Sequence, residues 1–322
     1  MHRESPQTLT IITGLYFLPA LGFGIRSAPS SLLLIRGLFF LFILISTQWM
    51  LFRWAKLLFP RQKQGALLAT GILFLNPLFI ALPWYGEKES IFIALTAAVF
   101  LIGSKIRLRD GLKPPSVLLL GLLSGIGLSI SPFFLSTLPW TLPSLWAAAR
   151  SRRQALGWTG GAALLAVTAF IFGYHASWIR FPSRNLDLSV PYPWNRIIVP
   201  PVDTPPIFLT THLAVFLGII FTVFFFLHLR ILSPRQPAMF IRTAFLGSLV
   251  IALATVFLQK VDSTFFFSVW PNLFVLLTWG CTNLTDRLRR YRRVPNTLAE
   301  HPAAWGAGLL LLANSCWLWL SR

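Results

Sequence analysis

The sequence predicts an all-α protein: a polytopic transmembrane helical bundle of about ten or eleven spans, folded as a single integral membrane domain over residues 1–322. Three observations carry that expectation. Apolar runs recur along the chain, many near the roughly 20 residues that a helix needs to cross a bilayer core. They are continuous rather than alternating, which argues against a transmembrane β-barrel. The composition is 55% hydrophobic and 11% charged, against about 25% charged residues in a soluble globular domain. The 28 Lys and Arg residues far outnumber the 9 Asp and Glu residues, and many of them gather in alternate loops, as the positive-inside rule requires. The net charge of +19 therefore reads as membrane topology and implies no nucleic-acid partner.

The apolar segments run in order over 8–24, 34–52, 65–83, 90–104, 116–131, 133–149, 157–173, 207–228, 238–257, 264–282 and 302–320. The first is the weakest. The fifth and sixth read as separate segments or as a short hairpin bent at Ser131-Pro132. One set of loops carries Arg53, Lys56, Arg61 and Lys63; Lys105, Arg107, Arg109 and Lys113; Arg150, Arg152 and Arg153; Arg230, Arg235 and Arg242; and Arg287, Arg289, Arg290, Arg292 and Arg293. This set is expected on the cytoplasmic side. The opposite set carries Glu87, Lys88 and Glu89, then the long loop 174–206, then Gln259-Lys260-Val261-Asp262-Ser263-Thr264. Most of the few acids gather on that second face, so any chemistry is expected there.

Loop 174–206 contains His175, Arg180, Arg184, Asp187, Arg196 and Asp203, together with Trp178, Tyr192, Trp194 and several prolines. Tryptophan and tyrosine favour the membrane interface, and a loop of this length is commonly functional. It reads as a lid or wall along the outer surface. Cys281 and Cys316 are the two cysteines. Both fall within or beside apolar segments and read as small buried side chains, forming neither a disulfide framework nor a metal site. His175 has no neighbouring ligand set, so no zinc site is expected.

The knot Tyr85-Gly86-Glu87-Lys88-Glu89-Ser90 stands between two apolar segments. Ionised groups at a membrane boundary are costly and usually kept for a reason. Farther on come Gly125-Ile126-Gly127-Leu128-Ser129-Ile130-Ser131-Pro132-Phe133-Phe134 and the Gln259-Lys260 pair, with Phe266, Trp270 and Pro271 nearby. In order and spacing these three stretches resemble the GT-C superfamily of polytopic glycosyltransferases, in particular bacterial mannosyl- and arabinosyltransferase-like members. The likeness spans residues 30–282. In that family a Gly-Gln-Arg-Glu-His run opens a helix on the outer face. Gly86 and Glu89 match it, whereas Glu87, Lys88 and Ser90 replace the Gln, Arg and His. The lysine of the family's second motif is Ser131 here, and the histidine of its third is absent. The family also places an acid in its first outer loop. Residues 5–86 contain no acid, and on that comparison the chain lacks the first span with its acidic loop.

The resemblance implies transfer of a sugar from a polyprenyl-phosphate donor to a glycan, lipid or protein acceptor on the extracytoplasmic face of a bacterial plasma membrane. A carboxylate must take the acceptor proton, and cations must hold the leaving phosphate. Glu89 is expected in the first role, since it matches the family's glutamate, with Glu87 as the other candidate. Two residues apart on a helix, they point about 200° away from each other. Lys88, Lys260 and Arg184 are the candidate phosphate ligands. The superfamily allows a divalent cation, but no Asp-x-Asp pair is present to hold one. The expected partners are membrane lipid and a polyprenyl-phosphate-linked sugar, with room for a partner protein. The alternative is a non-catalytic relative with a lipid-binding or assembly role. A transporter is disfavoured because no internal repeat is evident and the apolar segments carry almost no ionisable residues.

Overall fold

The computed structural model describes residues 6–27, 31–60, 63–75, 79, 82–84, 86–175, 235–258 and 263–290. Among these residues the secondary structure is helical, without a strand. The helices are α1 (Pro6–Ser27), α2 (Ser31–Leu58), α3 (Lys63–Phe74), α4 (Glu87–Lys105), α5 (Pro114–Ile130), α6 (Leu138–Ala148), α7 (Arg152–His175), α8 (Arg235–Leu258) and α9 (Ser263–Arg290). Three stretches are long and apolar enough to cross a membrane: Ser31–Leu58, Glu87–Arg109 and Arg152–Gly173. Leu9–Gly22, Gly65–Phe74 and Pro114–Ile130 are shorter apolar helices. The expected segments 207–228 and 302–320, and loop 174–206 beyond the end of α7, lie outside the described residues.

The breaks follow from local chemistry. The expected continuous segment 65–83 is divided: α3 stops at Phe74, and Leu82–Trp84 form a separate helical turn. The sequence signal is Pro77, since proline disfavours helix in the residue before it. α4 continues into a π-helical turn, Ile106–Asp110, and Gly111 ends it at φ 66. That backbone is left-handed, where only glycine is free of strain. Pro114 and Pro115 then open α5, where the missing N–H groups cost nothing. At Ser131-Pro132 the chain extends, the Ser131 hydroxyl accepts from the Phe133 N–H at 3.3 Å, and a 3-10 helix over Pro132–Thr137 leads into α6. The bend expected there is present, but α5 and α6 find different main partners. α5 packs on α7, whereas α6 lies against α4 and α8.

The α5–α7 contact rests on small residues. A Cβ added to Gly121 would overlap the backbone of Ala162, and one added to Gly125 would overlap that of Ala166. Both pairs step by one helical turn in the same direction, so the two helices run parallel. This is the small-xxx-small device that lets backbones approach in lipid, where no hydrophobic drive joins helices.

A continuous series of ring contacts crosses the remaining helices. Tyr16 meets Phe74 at 5.3 Å and Phe74 meets Phe79 at 5.2 Å. Phe79 meets Trp270 at 5.4 Å, and Trp270 stacks on Phe274 at 5.8 Å. Phe274 stacks on Trp54, which also touches Phe100 at 5.1 Å and Trp140 at 5.2 Å. Trp140 reaches Phe240 at 5.7 Å, and the Arg107 guanidinium lies 4.6 Å from that ring while donating to the Pro143 carbonyl at 3.1 Å. The Trp54 indole N–H donates to the Ser104 hydroxyl at 2.9 Å.

Two expectations follow. Gly125→Leu forces α5 and α7 apart and destabilises by about 1–3 kcal/mol, whereas Gly160→Ala, whose Cβ would meet nothing within 4 Å among the described residues, leaves the unfolding midpoint in detergent no lower, since alanine favours a helix over glycine by about 0.5–1 kcal/mol. Gln48 is fully buried on α2, and its amide has no hydrogen-bond partner among the described residues. A polar group left in that condition costs roughly 1–3 kcal/mol, so Gln48→Met raises the same midpoint.

Candidate functional site

The bundle has two chemically different ends. Arg53, Lys56, Arg109, Lys113, Arg150, Arg152 and Arg153 mark one, and all of them are exposed. The first turn of α4, with Glu87, Lys88 and Glu89, marks the other.

At the acidic end the chain climbs through the Leu82–Trp84 turn into α4. The Trp84 indole is wedged between α1 and α2, where a Cβ on Gly24 or Gly37 would overlap its ring. The Gly86 N–H donates to the Leu82 carbonyl at 2.8 Å, and the Ser90 N–H donates to the Gly86 carbonyl at 2.8 Å. The Ser90 hydroxyl donates to the same Gly86 oxygen at 2.7 Å. Ser90 is thus absorbed in pinning the helix start. Both acids sit in the first turn, where the helix dipole favours negative charge.

The two carboxylates have different surroundings. Glu87 forms an ion pair with Arg36 of α2, with side chains 21% and 40% exposed respectively. Glu89 is 4% exposed and belongs to the buried face of α4. One turn along that helix, Phe92 meets Phe134 of the 3-10 helix edge-on at 5.5 Å. Removing a carboxylate from water costs about several kcal/mol. Glu89 has an interaction of its own that offsets part of this cost, and an acid kept buried at this junction is a chemically informative side chain. Lys88 is half-buried beside it. Lys260 and Arg184, the other expected phosphate ligands, lie outside the described residues. No group of three or more His, Cys, Asp or Glu gathers among the described residues.

The same 3-10 helix borders an open apolar cleft of about 260 Å³, lined by Leu128, Pro132, Leu135, Ala166, Val167 and Phe170. Phe134 thus touches α4 below Glu89, while Pro132 and Leu135 face the cleft.

Arg36 is the residue that sequence reasoning missed. Its signal was present: a lone cation in the first turns of segment 34–52, away from the basic loops. The spacing of residues along the chain did not reveal that α2 and α4 lie side by side.

Comparison with protein families, with curated proteins and with solved structures finds no match to this chain.

The half-exposed pair is expected to couple weakly. A double-mutant cycle on Arg36→Gln and Glu87→Gln, read by unfolding in detergent, should give about 0.2–1 kcal/mol. The coupling should shrink as salt is raised.

Proposed function

We propose that the chain is an integral protein of a bacterial plasma membrane and a GT-C-like glycosyltransferase. It moves a sugar from a polyprenyl-phosphate donor to an acceptor hydroxyl on an envelope glycan, lipid or protein, at the end of the bundle that carries Glu89. The observation that carries this reading is the burial of Glu89, 4% exposed, in a chain with only 9 acidic residues. The length and apolar character of Ser31–Leu58, Glu87–Arg109 and Arg152–Gly173 support the membrane setting.

In this scheme Glu89 accepts the proton of the acceptor hydroxyl. The acceptor oxygen bonds to the anomeric carbon, the bond from that carbon to the phosphate oxygen breaks, and polyprenyl phosphate leaves with the electron pair. Lys88 meets the phosphate charge as it develops, and Lys260 and Arg184 are assigned to the same task. Glu87 keeps the first turn of α4 against α2 through Arg36.

A second reading has its own support. Glu87 is already engaged by Arg36, and the cleft beside the 3-10 helix offers only apolar side chains. Both features suit a non-catalytic membrane protein that binds a lipid or supports an envelope assembly.

Transfer of a labelled sugar in membranes containing the protein separates the readings. Loss of a positioned acid or base typically costs about 10²–10⁴-fold in rate, so Glu89→Gln should lower transfer by that factor while the protein still accumulates in the membrane. Unchanged transfer removes Glu89 from the mechanism. Absence of transfer from the unaltered protein across polyprenyl-phosphate sugars favours the second reading. A reporter fused after Arg109 should report the cytoplasm, and a periplasmic signal would reverse the orientation.

A further inference from the structure

We draw no further inference here: the strongest candidate, the open apolar cleft that Leu128, Pro132 and Phe170 line between α5, the 3-10 helix and α7, carries none, because nothing among the described residues shows what covers it.

Discussion

Trp54 is the side chain on which the arrangement of the helices turns. Its ring touches Phe100 of α4, Trp140 of α6 and Phe274 of α9, and its N–H is bonded to Ser104. In lipid the surroundings of a helix are as apolar as its partner, so association depends on packing, interhelical hydrogen bonds and close approach. Aromatic pairs contribute about 0.5–1.5 kcal/mol each beyond their buried area. One indole that meets three helices and donates a bond to α4 therefore concentrates specificity that scattered leucines would not supply. The Trp54–Ser104 bond sets the register of α2 on α4 at one level, and the Arg36–Glu87 pair sets it at another. The two contacts have sequence separations of 50 and 51, so α2 and α4 run parallel with one consistent offset. Glu89 is held on the buried face of α4 within that frame.

Much of the helix layout was legible in the sequence because apolar runs long enough to cross a bilayer must satisfy their own backbone polar groups, which a helix does. Apolar runs 34–52 and 90–104 lie inside α2 and α4, and the Ser131-Pro132 bend fell where an extended residue precedes a 3-10 helix. The ends were less legible. Helices extend past the apolar stretch into charged residues, as α4 does at Glu87 and again through the π-helical turn to Asp110. The division of segment 65–83 was signalled by Asn76-Pro77 within a mostly apolar run. The partner choices of α5 and α6 were not legible as a hairpin. Gly121 and Gly125 allow α5 to approach Ala162 and Ala166 of α7 more closely than sequence proximity would indicate.

The site was legible in position but not in its pairings. Helical periodicity separates residues two apart, and here Glu87 meets Arg36 while Glu89 is buried. Periodicity could not name Arg36, because a contact between helices separated by a third is a property of the packing. It also could not show that the 3-10 helix presents Phe134 to α4 while Pro132 and Leu135 line a cleft. A conspicuous charged stretch thus resolves into three parts: a helix start pinned by Ser90, an ion pair between helices, and one buried carboxylate.

The central claim is that the end of the bundle bearing Glu89 receives a polyprenyl-phosphate sugar. The most direct measurement is photo-crosslinking with a donor analogue whose diazirine lies on the sugar, followed by mapping of the modified peptide in the full chain in native membranes. The account predicts modification within Leu82–Phe100 that excess unlabelled donor suppresses. Modification confined to the basic end, or labelling that unlabelled donor does not suppress, would contradict it.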